Sequence, residues 1–289
     1  MDILSINPSI LSELFWPGQS GATLLDSETG SMLSEVVSVL ILAVVQGVAE
    51  FLPISSSGHL VLLNELLGID EGSVELNIVL HVGTLVAIVA FYWRQILALL
   101  TSDRRVVGLL IVGTIPAAVI GVIVKTQFED VLSNVWLTGF TFPLTGAMLL
   151  MLPRMPETKR DYPELSYGRA FLIGLAQAFA LLPGISRSGS TIVAGIAVGL
   201  KRQAAATFSF LLAIPVILGA GAIEAAHMIR AGQTTTTPGV LLLGAAVAFG
   251  VGLFSLACLV RWLNHGHLYR FAWWVIPLGL AILVWKGLA

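Results

Sequence analysis

Long apolar runs follow one another along this chain, joined by short polar stretches, and two of the runs are interrupted in the middle. Six segments, at about 76–93, 106–124, 135–152, 204–228, 238–261 and 271–287, approach the ~20 mostly apolar residues that a helix needs to cross a bilayer. Each predicts a transmembrane helix. Two further stretches are apolar but broken. Residues 36–67 carry Glu50, Pro53, Ser55, Ser56, Ser57 and His59, and residues 170–200 carry Gln177, Pro183, Ser186, Arg187 and Ser188. A proline with several hydroxyls at membrane depth describes a helix that enters, breaks and returns. Irregular backbone persists there only where protein or water covers it. The expected fold is an all-α integral membrane protein of six transmembrane helices and two re-entrant helical hairpins.

Composition agrees with lipid as the solvent. Of the 289 residues, 56% are hydrophobic and 11% are charged, against roughly 25% charged in soluble domains. A net charge of −2 gives no case for nucleic acid as a partner. The single Cys258 excludes an internal disulfide and reads as packing. Residues 1–34 hold Asp2, Glu13, Asp26 and Glu28 but no Lys or Arg, which does not suit a signal peptide. They read as an N-terminal extension with an interfacial segment around 11–16.

Cations orient the spans. Arg94, Arg104, Arg105, Arg154, Lys159, Arg160, Arg169, Lys201, Arg202, Arg261 and Arg270 fall on one side of an alternating path through the six spans. That side is expected to be the cytoplasm, with both termini outside. His227, His265 and His267 sit near span ends, and the Trp and Tyr residues from Tyr269 to Trp285 suit a membrane-interface belt.

The two broken stretches resemble each other. A shift of 131 residues, the separation of Gln46 and Gln177, lays Ala49 on Ala180 and Ile54 on Ile185. The same shift lays Ser55 on Ser186, Ser57 on Ser188 and Gly58 on Gly189. Three spans lie between the copies, and an odd number turns the second copy upside down. Inverted repeats place their site where broken helices meet. The expected division is an extension over 1–34, a first repeat over 35–152, a cytoplasmic loop over 153–169 and a second repeat over 170–289.

The chemistry sits in these breaks. Gln46 and Glu50 are four residues apart, on one helix face. A carboxylate in hydrocarbon costs at least ~2.5 kcal/mol unless paired or wet, so Glu50 requires a partner, either a metal ion or a cationic side chain. Arg187 is the one guanidinium in its stretch, and its fork matches phosphate oxygens. Ser186, Ser188 and Thr191 add neutral donors. An acid, a histidine, hydroxyls and a guanidinium suit a phosphate ester or anhydride. Arg187 would neutralise developing charge, and Glu50 would hold a divalent cation. A serine or a water would attack, and His59 would move the proton. The plainer reading makes the serines caps, Gln46 a helix–helix hydrogen bond, Glu50 and Arg187 a structural ion pair, and His81 a helix contact.

Residues 50–59 (EFLPISSSGH) and 183–191 (PGISRSGST) carry a resemblance. Over roughly 35–289 the chain resembles the bacterial undecaprenyl-pyrophosphate phosphatases, also called bacitracin-resistance proteins. The resemblance implies interlocked inverted repeats in the bacterial inner membrane, with an active site opening toward the periplasm. It implies hydrolysis of undecaprenyl pyrophosphate to undecaprenyl phosphate and phosphate, which recycles the lipid carrier of cell-wall synthesis, and dependence on Mg²⁺ or Ca²⁺. Carried over by position, Glu50 is the essential acid, Gln46 its neighbour near the metal, Ser56 the nucleophile or a phosphate ligand, and His59 the acid/base. Ser55, Ser57, Ser186, Arg187, Ser188 and Thr191 contact phosphate. This chain departs from the pattern in four places. Gln46 removes one carboxylate, Ser57 replaces a common Thr, Trp274-Val275 stands where a Tyr-Arg pair is usual, and His81 stands where Gln is expected.

A polyprenyl-phosphate transporter or flippase is the alternative, since paired broken helices also serve transport. It needs no attacking group. The other common class of lipid phosphatase is excluded, because it requires a second His soon after the Ser-Arg element and the next one here is His227. The apolar bulk also allows a homodimer.

Overall fold

The arrangement of helices follows from where the apolar runs stop. The computed structural model describes residues 24–67, 74–156, 158–231 and 237–288. Among them there are helices and no strand, apart from an isolated bridge between Arg160 and Leu200. The first broken stretch gives α1 (Leu24–Ala49) and α2 (Ser56–Leu67). Then come α3 (Val74–Phe91), α4 (Trp93–Leu100), α5 (Arg104–Gln127) and α6 (Val135–Met151). The second broken stretch gives α7 (Tyr167–Phe179) and α8 (Arg187–Ala197), followed by α9 (Arg202–Ala231), α10 (Pro238–Asn264) and α11 (Ala272–Leu288).

Six helices are long and apolar enough to cross a membrane, as the pattern predicts, but one member of the set differs. Met32–Ala49, within α1, qualifies by itself. The predicted span at 76–93 instead belongs to a bent pair, in which Glu75–Phe91 and Trp93–Leu99 meet at 77°. The cause is local. Nothing polar enough to break a helix occurs between Val36 and Ala49, so the interruption in 36–67 is confined to the six residues after Ala49. Residues 24–34 of the expected N-terminal extension are already part of α1. The interfacial segment expected at 11–16 lies outside the described residues.

The helix pairing has an internal symmetry. A shift of 131 residues brings the start of α2 at Ser56 onto the start of α8 at Arg187, and Ala49 at the end of α1 onto Ala180 just past the end of α7. Helix α1 packs on α10 of the other copy, and α7 packs on α5 of the first. Helix α3 meets α9, and α6 meets α11. Exchanging the copies turns each pairing into another or into itself, which is the pattern of two interlocked repeats. Small residues allow the close approaches, as is usual between membrane helices. A Cβ on Gly174 would lie 2.2 Å from the Gly113 carbonyl oxygen, and one on Gly279 would lie 2.7 Å from that of Gly139.

Hydrogen bonds tie the segment between the two copies to their helices. Arg105 donates to the carbonyls of Pro163 and Leu165. The Thr158 hydroxyl donates to the Gly199 carbonyl at 2.8 Å, and Leu165 is fully buried. Outside, apolar side chains such as Leu242, Phe254 and Trp273 are exposed, as helices facing lipid require.

Candidate active site

Pro53 lacks an N–H and so cannot donate to the Ala49 carbonyl, where α1 ends. The chain turns through Glu50 to Ser55 and restarts as α2 at Ser56. Ser55 sits at φ 70°, a region that a residue with a side chain enters rarely. Its carbonyl accepts from the His59 ring nitrogen Nδ1 at 2.7 Å, and its hydroxyl accepts the Gly58 N–H at 3.3 Å. In the second break Gly184 sits at φ 87°, and a Cβ there would lie 2.1 Å from the Thr141 hydroxyl. Thr141 and Thr145 of α6 hold this break by donating to the carbonyls of Pro183 and Gly184. Thr145 also accepts the Ser186 N–H at 3.1 Å.

The tips of the two breaks touch. A Cβ on Gly58 would fall 2.7 Å from the Gly184 Cα, so a side chain there would push them apart. The Ser188 hydroxyl donates to the Leu52 carbonyl at 3.3 Å and lies 3.2 Å from the Ser186 hydroxyl. Between the tips lies a small cleft, lined by Glu50, Ser55, Ser56 and Ser57 from one side and Ala180, Ile185, Ser186 and Arg187 from the other.

Glu50 is the centre of this cluster. Its Oε1 accepts from Arg187 Nη2 at 2.6 Å, and its Oε2 accepts from the Ser56 hydroxyl at 2.7 Å and Gln46 Nε2 at 3.2 Å. The ion pair weighed from sequence therefore forms, 137 residues apart in the chain. Arg187 also lies over the Phe210 ring, 6.0 Å from its centre. Paired buried charges add little net stability over an apolar pair, so their retention here points to chemistry.

The remaining predicted residues are placed unevenly. His59 Nε2 accepts the Trp274 indole N–H at 3.0 Å. An indole only donates and a carbonyl only accepts, so this histidine is neutral with its proton on Nδ1, and both nitrogens are engaged. Thr191 turns to the Arg187 carbonyl at 2.8 Å and to the Ser209 hydroxyl, supporting Arg187 from behind. His81, read from sequence as a helix contact, stands with Nε2 4.0 Å from Glu50 Oε2. The one signal for it was its departure from the expected Gln.

Four buried side-chain atoms among the described residues have no partner: Gln46 Oε1, both amide atoms of Gln177, and the Ser190 hydroxyl. Leaving such an atom unsatisfied costs about 1–3 kcal/mol. All four lie in the broken stretches. Gln46 turns its Nε2 to Glu50 and leaves Oε1 unpartnered, and an amide oxygen is the kind of acceptor a hard cation uses. No three of His, Cys, Asp and Glu gather among the described residues. Glu50 and Gln46 are the residues that could hold a divalent ion, which takes six or more ligands and would need substrate oxygens and water to complete it.

Two broken membrane helices that join an acid, a hydroxyl and a guanidinium at one polar cleft define a helical membrane protein with an oxyanion-handling site. More narrowly, the chain belongs to the family of bacitracin resistance protein BacA, whose family model matches residues 39–281. It is 51% identical over 253 residues to the undecaprenyl-diphosphatase of Rhodopirellula baltica, covering 87% of this chain and 98% of that protein. The undecaprenyl-diphosphatase of Halothermothrix orenii is 38% identical over 257 residues, covering 88% and 99%. That of Methanosphaera stadtmanae is 34% identical over 273 residues, covering 86% and 98%.

Proposed function

We infer that this protein is an undecaprenyl-diphosphate phosphatase. It hydrolyses undecaprenyl pyrophosphate to undecaprenyl phosphate and inorganic phosphate, recycling the lipid carrier of cell-wall synthesis and conferring bacitracin resistance. The observation that carries the reading is the convergence on one cleft of Arg187, the Glu50–Ser56 pair and the first residues of α2 and α8. Helix N-termini present free N–H groups and a positive dipole end to an anion.

The pyrophosphate draws Arg187 from Glu50 to the terminal phosphate, where its fork meets two oxygens. Glu50, released, accepts the Ser56 proton along their existing hydrogen bond. The Ser56 oxygen attacks the terminal phosphorus, and the bridging P–O bond breaks. Undecaprenyl phosphate leaves with the electron pair, and water then cleaves the phosphoserine. Ser55, Ser57 and Ser186 donate to phosphate oxygens around the cleft. Ser188 and Thr191 act from outside its lining, on Leu52 and Arg187. His59 holds Ser55 in its left-handed turn, and proton transfer at its Nε2 requires the Trp274 bond to open. A bound divalent cation, held by Glu50 and Gln46, would neutralise charge on the leaving phosphate.

The protein is a multi-pass membrane protein. The tips meet at one depth through Glu50 and Arg187, which supports re-entrant arms entering from opposite faces. The cationic loops then face the cytoplasm, and the cleft and both termini face outward.

The test is phosphate release from undecaprenyl pyrophosphate by the purified protein in detergent, with Mg²⁺, with Ca²⁺ and with chelator. Metal-dependent release that is lost in Glu50→Ala and Ser56→Ala supports the reading. Binding of the lipid without release by the parent protein would overturn it in favour of a headgroup transporter.

A further inference from the structure

Arg187 is held by three contacts that differ in kind. Its Nη2 donates to Glu50 Oε1 at 2.6 Å, and its Nη1 donates to the Ser209 carbonyl at 3.5 Å. The third contact is with a ring. The guanidinium carbon stands over Phe210, 6.0 Å from the ring centre, within the reach of a cation–π attraction. Phe210 is fully buried and packed by two further rings. Phe51, the residue after Glu50, meets it at 5.8 Å between ring centres, and Tyr92 stacks on it at 6.0 Å. Tyr92 sits at the bend between α3 and α4 and hydrogen-bonds to Thr207, on the same helix as Phe210. One ring of α9 therefore touches the first break through Phe51 and the second through Arg187.

We propose that Phe210 is the positioning residue of Arg187: its ring face holds the guanidinium while Nη2 exchanges Glu50 for a substrate phosphate. This rests on the reading above that the pyrophosphate draws Arg187 from Glu50. The exchange sets a requirement that a ring meets. A guanidinium has only donors, fixed in a planar fork. An acceptor oxygen in place of the ring would take some of them and compete with phosphate. An aliphatic side chain would leave them free and attract nothing. An aromatic face is negative, and it attracts a cation without a lone pair that claims an N–H. The structure shows this division, because Nη1 and Nη2 turn to Ser209 and Glu50 while the ring lies under the carbon. The attraction grows where water is excluded, and the Arg187 side chain is only 16% exposed. In the empty site the Glu50 bond fixes Arg187 with or without the ring. After Glu50 lets go, the ring and the long Ser209 bond are what α9 still offers the guanidinium. Ser209 also ties α9 to α8 through the Thr191 hydroxyl, which keeps the ring and Arg187 in register. The charge density of the ring therefore matters in the loaded site and little to folding.

The test replaces Phe210 in the full-length protein with mono-, di- and trifluorinated phenylalanine by stop-codon suppression. Each fluorine draws charge density from the ring face and changes its volume little. Phosphate release from undecaprenyl pyrophosphate and thermal melting are measured in detergent on every variant. The expected result is a stepwise fall in kcat/KM with each fluorine, on the order of tenfold across the series, at an unchanged Tm. The same series at Phe208, an equally buried ring of α9, is expected to be flat, because Arg187 stands over Phe210. A flat response at Phe210 overturns the proposal. So does an equal fall at Phe208, or a fall that tracks Tm, since either makes the ring mere packing. Absence of phosphate release from the parent protein overturns the phosphatase reading and this proposal together. Release by the parent with a flat series at Phe210 overturns this proposal alone.

Discussion

The two broken helices stop and restart at matching positions, yet they turn differently, with Ser55 at φ 70° and its counterpart Ser186 at φ −71°, and they carry different chemistry. Ser55 and Ser186 precede the helix restarts, and Gly58 and Gly189 follow them at matching positions. These shared residues build the break. Glu50, Ser56 and Arg187 line the cleft, and none has a counterpart of its own kind. Glu50 matches Leu181, Ser56 matches Arg187, and His59 matches Ser190. One copy thus supplies the acid and the hydroxyl that donates to it, and the other supplies the cation that meets them. A duplicated scaffold needs equal small residues to fold twice, but a reaction on a single anhydride needs opposite charges on its two sides.

The largest effects are expected where the copies differ. Arg187→Ala is expected to lower kcat for phosphate release by ~10²–10³, the range for removing one donor from a developing oxyanion. Arg187→Lys is expected to restore only part of it, since a point charge does not replace a fork. A normal rate in Arg187→Ala would leave the second copy with no chemical task. Next, Ser56→Ala is expected to abolish a trappable phosphoserine while Arg187→Ala only slows its formation, as acid-quenched labelling with phosphate-labelled lipid would reveal. Labelling that persists in Ser56→Ala would move the attack to water or another hydroxyl.

Smaller effects test the shared scaffold. Gly58→Ala is expected to destabilise the fold by about 1–3 kcal/mol, the cost of overpacking a tight contact. Its Cβ would stand 2.7 Å from the Gly184 backbone. Gly189→Ala is expected to cost less, because its nearest neighbours are the Ser186 Cβ at 3.1 Å and the Pro53 Cβ at 3.2 Å. Thermal melting of both variants in detergent ranks them, and a reversed order would break the account of how the tips meet. The smallest effect is expected at Trp274→Phe, which removes the indole donor from His59 and keeps an aromatic ring. Losing one such bond is worth about 1 kcal/mol, so a several-fold change in kcat with little change in KM is the expected reading.

Much of this molecule is set by its sequence. The apolar runs determine an all-helical membrane protein, because only helices satisfy every backbone group within a lipid-facing segment. The clustered exceptions to apolarity at residues 46–59 and 177–191 locate the site, because polar groups persist in hydrocarbon only with a task or a partner. Three things were decided by tertiary structure. The apolar run near Tyr92 bends by 77°, since the packing of neighbouring helices settles whether such a run is straight. His59 is tied to Trp274 across 215 residues, a contact no local spacing encodes. His81 lies in the apolar run of α3, and it joins Glu50 only because α3 packs beside the end of α1. Periodicity along a chain reports what each helix faces on average. Which two helices bring their few polar atoms to one point depends on the packing of all of them together.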